Sequence, residues 1–130
     1  MKPTPKQRIG TLGERRAALY LLLHGYRILH RNYRTGHLEL DIVAVRGKYI
    51  LFVEVKTRSY LSSEVPSAPP PGNAVNAEKQ RHTRRAATEY LREHPTRRQP
   101  RMDVVEVWLE KHPARRRPRV LRIRHIEGAY

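Results

Sequence analysis

The sequence predicts one α/β domain, a β-sheet carrying helices. Three observations point there. The chain has 130 residues, the size of a single hydrophobic core. Apolar residues recur at helical spacing in two segments and alternate, or run on, as in strands in five. Those segments follow the order α-β-β-β-α-β-β, with no internal repeat.

Residues 1–10, "MKPTPKQRIG", read as a flexible basic arm ahead of a domain over 11–126. "TLGERRAALYLLLHG" places Leu12, Leu19, Leu22 and Leu23 on one helical side, with Thr11 as N-cap and Gly25 as stop. Strands follow at 26–34, at 38–45 ("LELDIVAV") and at 48–56 ("KYILFVEVK"). Gly47 makes a hairpin between the last two. Residues 59–74 hold three consecutive prolines and read as an exposed mobile loop. A second helix spans 75–94, capped by Asn76, with a thin apolar face of Ala86, Ala87, Tyr90 and Leu91. "MDVVEVWLE" (102–110) and "VLRIRHI" (120–126) alternate as strands, and 127–130 is a short tail.

Composition narrows the function. Lys and Arg total 27 against 12 acids, a formal charge of +15. Such a field draws polyanions, nucleic acid first and an anionic membrane surface second. Of the 27, 21 are Arg, so genome base composition is a competing source of the excess. Without cysteine there are no disulfides and no thiolate metal sites. No apolar run reaches membrane-spanning length, and the N-terminal segment lacks a signal-peptide hydrophobic stretch, so a cytoplasmic protein is expected. The seven histidines show no ligand spacing.

One feature breaks the apolar pattern. Glu39 and Asp41 stand two apart on the second strand, and Glu54 and Lys56 two apart on the third. Residues two apart share a face. If Arg46–Gly47 forms the loop, Glu39 faces Glu54 and Asp41 sits diagonally. A four-residue loop sets Asp41 opposite Glu54 and Glu39 opposite Lys56. Either register groups three carboxylates and an ammonium. Carboxylates so close repel, and a hard divalent cation such as Mg²⁺ is the usual way to keep them ionised. The amine could hold or deprotonate an attacking water, or neutralise a phosphate.

Each piece also fits a plainer role. Glu54 and Lys56 suit an exposed cross-strand ion pair, and Glu39 with Asp41 a solvated face. Thr11-Leu-Gly-Glu14 matches a capping box, so Glu14 fits a helix cap. Tyr33, Tyr49 and Tyr90 fit core-edge aromatics.

"GTLGERRAALYLLLHG", "RNYR", "LELD" and "FVEVKTR" in this order and spacing resemble the YraN-like family of bacterial proteins. The likeness runs more weakly through "AVNAEKQRHTRRAATEYL" and "RMDVVEV", covering about residues 10–126. The family has no established function. The resemblance implies a restriction-endonuclease-like fold, a central mixed β-sheet flanked by α-helices, similar to archaeal Holliday-junction resolvases. It further implies a Mg²⁺ (or Mn²⁺) nuclease site at Glu14, Asp41, Glu54 and Lys56, with Asp41 and Glu54 as metal ligands. Where that family has Gly before the Glu of its E-x-D strand, this chain has Leu38.

The expectation is a metal-dependent endonuclease acting on DNA, linear or branched. Arg31, Arg34, Arg58, Lys79, Arg81, Arg84 and Arg85 would track phosphates, and Glu39 is a secondary candidate. Nucleic acid is the expected partner, DNA ahead of RNA. No membrane is expected, and a homodimer is an option because junction-cutting enzymes are usually dimers. The alternatives are a catalytically weak binding module serving a DNA- or RNA-processing partner, and a basic assembly protein on structured RNA.

Overall fold

The computed structural model of the chain describes residues 2–66 and 75–130. Helix α1 spans Pro5–Leu23. Strands β1 (Arg27–Thr35), β2 (Leu38–Arg46) and β3 (Tyr49–Leu61) follow, then a 3₁₀ turn at Ser62–Glu64. Helix α2 (Ala77–Glu93) leads to β4 (Gln99–Lys111) and β5 (Arg119–Ile126). The five strands form one sheet in chain order. Among the described residues only β3 and β4 pair in parallel, and α2 lies in the long crossover that a parallel pair requires. The result is a mixed sheet with helices packed on both faces, the α/β architecture expected of a restriction-endonuclease-like domain.

Two apolar layers hold it. On one face Ala17, Ala18 and Leu21 of α1 pack on Ile42, Leu51, Val53, Val105 and Val107. On the other, Ala86, Ala87 and Tyr90 of α2 pack on Leu40, Val43, Ile50 and Phe52. The predicted α2 face is thus the buried one. Of the predicted α1 face only Leu12 packs inward, partly buried against the α1-side layer. Leu19, Leu22 and Leu23 are 43%, 54% and 75% exposed. The face that docks is built on small residues because α1 comes very close to β3. A Cβ on Gly13 would stand 1.8 Å from Thr57 Oγ1.

Helix α1 also starts earlier than its pattern suggests. Thr4 is the N-cap, with Gln7 N donating to Thr4 Oγ1 at 3.1 Å and Thr4 N donating to Gln7 Oε1 at 2.8 Å. Pro5 fills the first turn, where a missing N–H costs nothing. Thr4-x-x-Gln7 is itself a capping box, so residues 5–10 are helical, not a flexible arm, and Thr11 caps nothing. Glu14 is left free of the capping role.

The proposed loop 59–74 is strand as far as Leu61, because Ser59, Tyr60 and Leu61 pair with Leu109, Glu110 and Lys111. Its proline run lies outside the described residues. The final segment is docked: Ala129 N donates to Met102 O at 2.7 Å and Tyr130 packs on the α2-side layer.

A buried acid braces the α1 side. Asp103 is fully buried. It accepts from Arg101 Nε (2.9 Å) and Nη2 (2.8 Å), from Gly128 N (3.0 Å), and lies 2.7 Å from His125 Nε2. Burial alone would raise its carboxyl, but His125, Arg101 and the Gly128 N–H outweigh that and hold it below the ordinary value.

Candidate active site

The hairpin fixes where the acids stand. Arg46 pairs with Tyr49 and Ile42 with Val53, so the turn is Gly47–Lys48. Gly47 has φ +56°, the conformation for which glycine is favoured at the first turn position. Continued one residue, this register sets Asp41 opposite Glu54, the pairing anticipated for the longer loop. The ladder does not continue, however. Beyond Ile42–Val53, the Val55 N–H donates at 2.8 Å to Asp41 Oδ2 in place of a backbone carbonyl. The Asp41 side chain therefore seals the point where β2 peels from β3.

Strand alternation fails at the same place. Leu40 packs on the α2 side and Ile42 on the α1 side, although they are two apart. Across the ladder, Arg31 pairs with Ile42 and Tyr33 with Leu40. Between them Asn32 holds φ +53°, in the left-handed region. Asn tolerates it better than most residues. Both strands thus change phase together at Asn32 and Asp41. The rule that placed Glu39 and Asp41 on one face consequently does not apply. Glu39 is exposed and lies 3.9 Å from Arg34 Nε across β1.

On β3, Phe52 faces α2 while Val53 and Val55 face α1, so alternation turns Glu54 and Lys56 toward α2. Glu54 is half-buried, and its Oε2 is fully enclosed, without a hydrogen-bond partner among the described residues. Burial raises the Glu54 carboxyl. Lys79 and Lys56 pull it back, and Asp41 adds to the rise. Asp41 is raised for the same first reason, against the Val55 hydrogen bond and Lys79, with Glu39 pushing it further. Glu14 reaches the site from α1, lining a hollow with Val55 and Thr57. Burial raises it as well, then Asp41 and Glu39, against Arg31. The close Gly13–Thr57 contact is what brings Glu14 to this spot.

Asp41 is therefore the hub. Glu54, Lys56 and Lys79 gather on the α2 side, and Glu14 approaches from the α1 side. Among the described residues no three His, Asp or Glu side chains converge as a closed metal cage. Two carboxylates, one with an enclosed and unpartnered oxygen, do match the donor set Mg²⁺ uses when it keeps waters and takes a substrate phosphate. The residues fit that kind of ion, and not a fully protein-ligated one.

The predicted phosphate contacts fall into separate groups. Arg31 and Arg34 are exposed on β1; Lys79, Arg81, Arg84 and Arg85 are exposed on α2. Arg84 stacks over Tyr130, 5.5 Å from the ring centroid. Arg58 is tied to Glu106, with Nε donating to Oε2 at 3.3 Å. Sequence reasoning assigned Lys79 to phosphate alone, yet it is the foremost opposing charge at both Asp41 and Glu54. Glu106 was missed altogether. Its signal was present, since "MDVVEVW" puts an acid between Val104 and Trp108 in an apolar stripe, as "LFVEVK" does with Glu54.

Among the described residues no helix is long and apolar enough to cross a membrane. The profile of the uncharacterised protein family UPF0102 matches residues 13–107. A UPF0102 protein of Alkaliphilus oremlandii is 39% identical over 127 residues, 95% of this chain and 98% of the relative. One from Caldicellulosiruptor saccharolyticus is 41% identical over 105 residues, 80% and 85% of the two chains. One from Moorella thermoacetica is 43% identical over 105 residues, 80% and 83%. The chain belongs to the uncharacterised protein family UPF0102, the YraN family.

Proposed function

We propose that the protein is a metal-dependent nuclease that hydrolyses phosphodiester bonds in DNA. The observation that carries this reading is the enclosed Glu54 Oε2 beside Asp41, which has no hydrogen-bond partner among the described residues. Buried polar atoms are normally satisfied, and a native exception asks for a reason. Here two raised carboxylates stand beside two amines, an arrangement that costs stability and is suited to a cation and an anion arriving together.

Asp41 and Glu54 would hold Mg²⁺ or Mn²⁺, which when bound supplies charge for the phosphate and acidity for a water. Asp41 is fixed for this by Val55 N, which orients the carboxylate from behind. Lys56 holds the attacking water or the phosphate oxygen. Lys79 offers a second positive charge from α2. Glu14 acts through Asp41 from the other side of the sheet, as an outer positioning group. Water adds its oxygen to phosphorus, one P–O ester bond breaks, and the departing oxygen takes up a proton.

Incubation with linear DNA, branched DNA and RNA, with Mg²⁺ or Mn²⁺, tests this. Cleavage that needs the ion and vanishes in both Asp41→Ala and Lys56→Ala is expected. No cleavage of any substrate, or cleavage that survives both substitutions, contradicts it. Salt-sensitive DNA binding without Mn²⁺ binding would instead identify a binding module.

A further inference from the structure

The apolar stripe of β4 contains a second acid that the nuclease reading does not use. Glu106 is fully buried. In the sheet it lies between Lys56 of β3 and Arg124 of β5, its register partners on either side. Its two oxygens are divided between two arginines. Arg58 Nε donates to Oε2 at 3.3 Å, and Arg124 Nε donates to Oε1 at 2.6 Å, with Arg124 Nη2 2.5 Å from the same oxygen. Unlike the acid, the arginine side chains stay 34% and 26% exposed.

We infer that Glu106 is a positioning residue that fixes Arg58 and Arg124 as a binding site for a nucleic-acid phosphate next to the one held at Asp41 and Glu54. A buried ion pair is weak evidence for stability. A buried ion pair or triad is often matched or bettered by apolar side chains of equal volume. Holding two guanidinium planes still, however, is what phosphate recognition requires. Each guanidinium has five N–H donors. Arg58 spends only its Nε on Glu106 and keeps both Nη groups for an anion, whereas Arg124 turns Nε and its enclosed Nη2 to the acid and keeps Nη1. Arg58 lies four residues beyond Glu54 on β3, about 13 Å along the strand. That is too far for the reacting phosphate and suits a neighbour on the same strand of nucleic acid. The net charge of Lys56, Arg58, Arg124 and Glu106 is 3 − 1 = +2, on the face that α2 leaves to the far half of β3.

This inference rests on the reading of that face as a nucleic-acid surface, but not on catalysis. The experiment is therefore binding without any divalent ion. Fluorescence anisotropy of labelled duplex DNA is measured in EDTA at several salt concentrations, with melting curves to show that each variant folds. Arg58→Gln and Arg124→Gln should each lower the slope of log K against log salt by about 0.9. Arg124→Lys keeps the charge and loses the planar fork. It should bind about tenfold more weakly, the worth of one charge-assisted hydrogen bond. Glu106→Gln gives the sharpest sign. Removing an acid should tighten DNA binding if bulk charge alone matters, whereas loss of positioning weakens it. Wild-type slopes in Arg58→Gln and Arg124→Gln, tighter binding by Glu106→Gln, or no salt-dependent binding by the wild type would each overturn the inference. Cleavage lost in Asp41→Ala with these binding effects intact leaves it standing. Absence of cleavage in the wild type would remove the nuclease reading without touching it.

Discussion

Asp103, fully buried, and the half-buried pair Asp41 and Glu54 are acids of one sheet, and the fold treats them in opposite ways. Asp103 is surrounded by Arg101, His125 and the Gly128 N–H, and its carboxyl is held below the ordinary value. Asp41 and Glu54 are held above it, and one Glu54 oxygen has no hydrogen-bond partner among the described residues. The first acid ties the C-terminal segment to β4. The second pair gains little from its own surroundings. Protein interiors can satisfy a carboxylate, as Asp103 shows, and the enclosed Glu54 Oε2, without a hydrogen-bond partner among the described residues, is the exception that supports the proposed cation.

The comparison can be broken most forcefully at Asp103. Asp103→Ala leaves Arg101 with a lost partner and should cost about 3–5 kcal/mol, the usual penalty for breaking a buried pair. Urea unfolding measures it, and a loss under 1 kcal/mol would show that the network is ornamental. The pH sign follows. A lowered carboxyl stabilises above its unfolded value and loses that contribution as pH falls through the folded value. The wild-type advantage over Asp103→Asn should therefore shrink in acid.

Gly13 comes next. Ala there meets Thr57 Oγ1 at 1.8 Å, against a helix-propensity gain of about 1 kcal/mol. Overpacking costs about 1–3 kcal/mol or more, so Gly13→Ala should be destabilising and should displace Glu14. A melting temperature equal to wild type would mean that α1 does not sit so close.

The site pair should behave in the reverse sense to Asp103. A raised carboxyl contributes stability below its unfolded value, about 4, and that contribution is lost as pH rises through the folded value. Asp41→Asn and Glu54→Gln should thus stabilise the metal-free protein at neutral pH by about 0.5–2 kcal/mol. The gain should close as pH falls below about 4. Destabilisation of both variants at neutral pH would show that these acids are structural after all.

The smallest effect is expected at Asn32, whose φ of +53° costs a non-glycine residue about 1–2 kcal/mol. Asn pays the least of this and Gly none, so Asn32→Gly should stay within about 1 kcal/mol of wild type. Asn32→Val should lose more, with the proposed cleavage falling alongside because Asp41 lies across the ladder. Equal unfolding midpoints for Val and Gly would place no strain there.

Much of this was legible in residues. Turn glycine, alternating β2 and β3, and the acids inside an apolar stripe located the hairpin and the pair Asp41–Glu54. The thin apolar face of α2 was readable because its other faces are charged. Helix α1 misled for a physical reason. Leucines surround it, so periodicity could not tell the docked side from the exposed one, and close approach selected Gly13 and Ala17 instead. Glu39 misled because period-two alternation assumes regular strands, and the left-handed Asn32 breaks that phase. Lys79 was invisible as a site residue because only the tertiary fold brings α2 over β3. Glu106 was visible and overlooked, for it interrupts β4 as Glu54 interrupts β3.

Isothermal titration of the protein with Mn²⁺ at neutral pH, beside Asp41→Asn, goes to the centre of the account. Saturable binding by the wild type, with a raised melting temperature, and none by the variant, is the predicted result. A wild type that takes up no ion, or a variant that binds it equally well, would contradict the claim that these two carboxylates wait for a cation.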